Sequence, residues 1–69
     1  MERTLVSSTN IRAIGYDPNS STLEIEFNHG AVYQYSDVPQ GEFDALISAA
    51  SHGTYFNANI KNRYPVVKL

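Results

Sequence analysis

The chain has no cysteine. Disulfides, thiolate metal sites and a cysteine nucleophile are therefore excluded. Small secreted domains often lean on disulfides, so this core must hold by packing alone. No apolar run approaches the ~18 residues of a membrane span, and no charged-then-apolar N-terminal stretch resembles a signal peptide. A cytoplasmic protein is the expectation. Positive charge is also scarce: five Lys/Arg face seven Asp/Glu, for a formal net charge of −2. That balance argues against a strong nucleic-acid binder, which usually carries a basic surplus. The charge is unevenly spread, however. Lys61, Arg63 and Lys68 lie in a C-terminal stretch with no acid, and every acid lies at or before Asp44. The tail can form a local basic patch on an acidic body.

What is present suits one small α+β domain. At 69 residues with 42% hydrophobic content, residues 1–69 form a single unit near the lower size limit for a core without staples. There is no linker, internal repeat or low-complexity run. Ser7-Ser8-Thr9-Asn10 leads into a first strand over 11–16, and Met1 to Leu5 is frayed or partly paired. Asp17-Pro18-Asn19-Ser20-Ser21 reads as a turn: proline presets φ, and Asp17 and Asn19 can bond their own backbone.

Thr22 to Phe27 alternates, with Leu23, Ile25 and Phe27 on one side and Thr22, Glu24 and Glu26 on the other, as in a half-buried strand over 22–27. Asn28-His29-Gly30 suits a three-residue hairpin loop with Gly30 left-handed. That loop sets Phe27 opposite Ala31, Ile25 opposite Tyr33 and Leu23 opposite Tyr35, in a third strand over 31–36. A two-residue turn would flip both tyrosines to the solvent side.

Pro39 fits a helix start, and Glu42 and Asp44 suit the positive end of its dipole. Phe43, Leu46, Ile47 and Ala50 recur at helical spacing, which predicts a helix over 39–51 with Gly53 as a left-handed stop. Tyr55, Phe56 and Ile60 predict a short helical return over 54–62, ended by Pro65. Val66-Val67 adds an edge strand or trails. The expected fold is a three-stranded antiparallel β-meander followed by one α-helix and a short C-terminal helix, packed on one face.

The ordered series Ser7-Ser8-Thr9-Asn10-Ile11, Ile14-Gly15-Tyr16-Asp17, Leu23 to Phe27, Gly30, Tyr33-x-Tyr35, Val38-Pro39, Ser51-x-Gly53 and Tyr55-Phe56-Asn57…Ile60 resembles the KTSC domain, from about Val6 to Pro65. That family is named for its occurrence at the C-terminus of some lysyl-tRNA synthetases, and it also occurs as free-standing small bacterial proteins, which this chain looks like. The central tyrosine pair is its hallmark. The resemblance implies a small binding module, with RNA or tRNA suggested by association with a synthetase.

Tyr33 and Tyr35 have two readings. Two rings at i and i+2 on a sheet face could each stack one base. The simpler reading makes them core residues opposite Ile25 and Leu23, with hydroxyls reaching water at the rim. Tyr55 to Tyr64 interleaves aromatics, amides and cations, the residue types of single-stranded RNA recognition, and nominates Tyr55, Asn57, Lys61 and Arg63 beside the tyrosine pair. Its simpler reading packs Phe56 and Ile60 inward and leaves the charges as ordinary surface. An RNA site predicts a positive patch of Lys61, Arg63 and Lys68, with Arg12 a further contributor, beside exposed rings.

His29 and His52 are the only histidines, and no ligand spacing suggests a metal. Ser51-His52 near Asp44 or Asp37 lacks the glycine pattern of a nucleophile elbow. Glu24 and Glu26 read as a solvated face. Ser7, Ser8 and Asn10 read as structural support for the first strand. The expected function is a non-enzymatic binding module without cofactor, metal or membrane, taking RNA or tRNA. The alternative is a protein-interaction or accessory domain using its sheet face or an edge strand.

Overall fold

The structure, a computed structural model, describes residues 1–69. Five strands form one antiparallel meander in sequence order: β1 (Arg3–Leu5), β2 (Ile11–Asp17), β3 (Thr22–Phe27), β4 (Val32–Tyr35) and, after two helices, β5 (Val66–Lys68). The helices are α1 (Gln40–Ser48) and α2 (His52–Asn59). No helix is long and apolar enough to cross a membrane.

The expected three central strands are present, but the sheet has five. The two additional strands are its edges. Each spans three residues and is exposed throughout. Neither carries an alternating pattern of its own; each is held by its neighbour, with Arg3 opposite Gly15 and Tyr35 opposite Val66.

The central hairpin follows from its loop. Gly30 sits at φ 101°, open to glycine at no steric cost, and its N–H donates to the Phe27 carbonyl at 2.9 Å. Phe27 N–H donates to Ala31 O at 2.9 Å, closing the three-residue loop. Leu23 then stands opposite Tyr35 and Ile25 opposite Tyr33, as the loop length predicts. The 17–21 turn is set by Asp17, whose Oδ1 accepts from Asn19 N–H at 2.9 Å.

One sheet face carries the core: Ile11, Ile14, Leu23, Ile25 and Tyr35, closed by Val38, Leu46, Phe56 and Ile60. Tyr16 stacks on Phe43 with ring centroids 5.0 Å apart, and its hydroxyl donates to Val38 O at 2.5 Å. These contacts seat α1 on the sheet. Phe56 seats α2, meeting Tyr35 and Phe27 edge to face at 5.5 and 5.6 Å.

The opposite face is not simply solvated. Glu24 is only 6% exposed. Arg3 lies in the same cross-strand row as Gly15, Glu24 and Gln34. Its aliphatic stem passes over Gly15, where a Cβ would stand 3.1 Å from Arg3 Cγ, and its guanidinium pairs with Glu24 at 2.5 Å and Glu26 at 2.8 Å. Gln34 donates to the other Glu24 oxygen at 2.8 Å. Burying a carboxylate is tolerable when it is paired and hydrogen-bonded in this way.

The predicted single helix over 39–51 ends at Ser48, and Ala49 is extended. Gly53 is not a left-handed stop; it lies in the first turn of α2, N-capped by Ser51, whose Oγ accepts from Thr54 N–H at 3.3 Å. Its small size serves a close approach instead. A Cβ there would stand 2.4 Å from Asn10 Oδ1.

Candidate functional site

The two helices leave the β3–β4 hairpin end of the core face uncovered. There a groove of about 660 Å³ opens between the hairpin, α2 and the turn that follows it. Its floor is aromatic: Phe27, Tyr33, Tyr35 and Phe56. Tyr35 is 4% exposed and Phe56 2%, so both belong to the core as well. Tyr33 and Phe27 are half-buried and meet edge to face at 5.6 Å. His29, exposed at the hairpin tip, lies flat on Phe27 at 5.7 Å with rings tilted by 7°.

The rim is polar. Asn10 and Asn28 approach from one side and Asn57, Lys61 and Asn62 from the other. The first pair is committed to the scaffold. Ser8 Oγ donates to Asn10 Oδ1 at 3.1 Å, and Asn28 Nδ2 donates to Ser8 O at 3.2 Å. Ser8 Oγ also accepts from Ile11 N–H at 3.4 Å, so this serine knots the approach to β2, as expected. Asn57, Lys61 and Asn62 are exposed, and their side chains have no bonded partner within the chain. No Asp or Glu lines the groove. On a chain of net charge −2 this is a local reversal. The groove suits a neutral or anionic ligand with flat apolar surface and hydrogen-bonding edges.

Four of the six nominated residues meet here: Tyr33, Tyr35, Asn57 and Lys61. Tyr55 and Arg63 do not line it. Tyr55 and Asn57 are two residues apart on one helix, so they point in nearly opposite directions. The Tyr55 hydroxyl donates to Glu42 Oε1, and Tyr64 donates to Glu42 Oε2 at 2.8 Å. One carboxylate thus ties α1 to α2 and to the chain beyond it. Hydrogen bonding to Glu42 raises both phenol pKa values above their ordinary range, with burial and the carboxylate's charge adding to the shift. Arg63 is exposed. Tyr35 is raised too, first by burial and then by its neighbour Tyr33. Arg12 joins the opposite face, 3.7 Å from Glu26, and so does not extend the basic patch. Lys68 pairs across the ladder with Tyr33 and so shares the groove's sheet face.

The sequence reading missed Phe27, His29, Asn28 and Asn62 as groove residues. Their signal was indirect: the hairpin register already placed Phe27 on the face of Tyr33. The two residues weighed as a hydrolase pair are otherwise engaged. Ser51 caps α2, and His52 Nδ1 lies 2.9 Å from Leu46 O at the end of α1. No cluster of three His, Asp or Glu side chains could hold a metal ion.

Comparison with known proteins gives this geometry a family. The KTSC domain profile matches residues 7–64. An uncharacterised protein of Stutzerimonas stutzeri is 41% identical over 64 residues, covering 93% of this chain and 90% of that one. A lysine–tRNA ligase of Nostoc is 37% identical over 59 residues, 86% of this chain but 10% of the ligase. The crystal structure of a KTSC domain protein from Yersinia pestis superposes with a TM-score of 0.94 at 40% identity, over 99% of this chain and 96% of that one. With the profile spanning most of the sheet, both helices and every groove residue from Thr9 to Asn62, the chain belongs to the KTSC domain family.

Proposed function

We propose that this domain is a non-enzymatic, cytoplasmic RNA-binding module that holds unpaired nucleotides in the groove between the β3–β4 hairpin and α2. One observation carries the reading. In an acidic chain, the groove excludes every acid and gathers rings, free amides and Lys61. Rings stack bases, amides read base edges and a cation meets phosphate. Tyr33, Asn57 and Lys61 are the contact residues, and Tyr35 is the floor beneath them. Lys68 flanks the site on the sheet face, while Arg63 lies close enough to Tyr55 and Tyr64 to act on both phenols, on the side of α2 away from the groove. The similar segment in lysine–tRNA ligases supports tRNA as the natural RNA.

A second reading rests on a different edge. Val66 and Val67 are 47% and 61% exposed along the edge strand β5, with Leu69 63% exposed just beyond it, and the free backbone of β5 could pair with an added strand. Amide-resolved NMR titration separates the two readings. Tested are a short mixed-sequence single-stranded RNA and tRNA, at low and near-physiological salt. RNA binding predicts shifts at Tyr33, Asn57, Lys61 and Asn62. With only Lys61 in the groove, the salt slope is about −0.7, so affinity falls only about threefold between 50 and 200 mM salt. Absence of groove shifts with either RNA removes this reading and leaves the β5 edge and a protein partner.

A further inference from the structure

Resting on the RNA-binding reading, we infer that the groove selects a single unpaired adenine, with its base on the half-buried Tyr33 ring and its edge read by Asn57 and Asn62. The groove's polar rim is amide-rich: Asn10, Asn28, Asn57 and Asn62, of which the first two are bound to Ser8. The free readers are therefore Asn57 and Asn62. A side-chain amide presents a donor and an acceptor side by side. That pair complements adenine, which offers N6–H₂ beside N7, and it is the usual asparagine partner.

The other bases fit less well. Guanine is read at O6 and N7 by arginine or lysine. The only such cation in the groove is Lys61, and the phosphate of any bound nucleotide engages it. The adjacent donors on guanine's pairing edge, N1–H and N2–H₂, call for a carboxylate, and the groove has none. Cytosine, with N3 beside N4–H₂, can also pair with an amide, but it has one ring where adenine has two. Uracil can pair with an amide, but it offers a smaller ring to an aromatic floor. Four aromatic side chains and a histidine line the site. Such a floor rewards the larger purine surface.

The test uses four fluorescein-labelled seven-nucleotide RNAs of uracil, with the central base left as uracil or replaced by adenine, guanine or cytosine. Anisotropy titrations of the full chain at low salt measure each affinity, and groove amide shifts locate the binding. The adenine oligonucleotide should bind on the order of tenfold tighter than the other three. The Asn57→Ala/Asn62→Ala variant should lose the advantage of adenine over guanine, keeping only the preference for purines that the aromatic floor confers. Both residues are exposed, so the variant keeps the fold, as its melting curve will show. Equal affinities for all four in the parent, with groove shifts present, would overturn adenine selection while RNA binding stands. A preference for adenine over guanine that survives in the double variant would overturn the role given to these amides. No binding by any oligonucleotide would overturn both this inference and the reading beneath it.

Discussion

Tyr33 and Tyr35 differ by two residues yet should respond differently to truncation. Tyr35 is 4% exposed, opposite Leu23 and edge-on to Phe56. Emptying such a site costs about 3–5 kcal/mol. A core in a domain of this length, with no disulfide or metal, rarely supplies more than about 3–5 kcal/mol in total. Tyr35→Ala should therefore be largely unfolded at 37 °C. Tyr33 is half-buried, so Tyr33→Ala loses roughly half that packing, about 2 kcal/mol. For a domain of this size, that is a fall in melting midpoint of about 8–16 °C. Thermal unfolding followed by circular dichroism measures it. Neither hydroxyl has a hydrogen-bond partner in the chain, so Tyr33→Phe and Tyr35→Phe should stay within about 0.5 kcal/mol of the parent. RNA affinity should follow another order: lost in Tyr33→Ala, kept in Tyr33→Phe. A Tyr33→Ala midpoint within about 2 °C of the parent would show that the ring is not part of the core, and would refute the packing argument.

The remaining predictions concern the two carboxylates that organise the scaffold. Glu42 raises the pKa of the Tyr55 and Tyr64 phenols, so Glu42→Gln should lower both ionisation midpoints in an ultraviolet alkaline titration; superimposable curves would contradict the bonding seen. These folded-state pKa values are raised, so their contribution to stability is complete below the unfolded phenol pKa of about 10 and fades as pH climbs through the folded values. Stability should thus fall with alkali more steeply in the parent than in Glu42→Gln, as urea unfolding across that range will show. On the opposite face, Arg3→Gln leaves Glu24 buried without its cation. It should destabilise the domain more in the parent than in a Glu24→Gln background, and an additive double-mutant cycle would deny the coupling.

The hairpin was legible because two independent rules agree on it. Alternation from Thr22 to Phe27 assigns the faces, and Asn28-His29-Gly30 fixes the register through one left-handed glycine. The edge strands had no such signal. Arg3–Leu5 and Val66–Lys68 are strands only because a neighbour offers them a ladder. Gly53 shows the same limit in one residue. Local grammar reads a glycine after a helix as a stop, yet its small size answers Asn10, a partner distant in sequence. Glu24 sits where alternation puts it, on the face away from the core. What alternation omits is Arg3 crossing Gly15 to reach it. The site divides likewise. An interleaved segment nominates Tyr55, Asn57, Lys61 and Arg63 together, but helical geometry turns Tyr55 toward Glu42 while Asn57 reaches the groove.

Net charge, the first reason to doubt an RNA ligand, loses its force once the acids are located. Glu24 and Glu26 lie across the sheet from the groove and are held by Arg3. Glu42 is bound by two phenols between the helices. Asp17 closes a turn on its own backbone. None of the seven acids lines the groove. A ligand meets the local field before the average one, because screening confines exposed charges to within about 10 Å at ordinary salt. The sum of −2 therefore bears on solubility and on weak long-range steering. It does not bear on the local field at Lys61 and the free amides, and the proposed RNA reading rests on that local field.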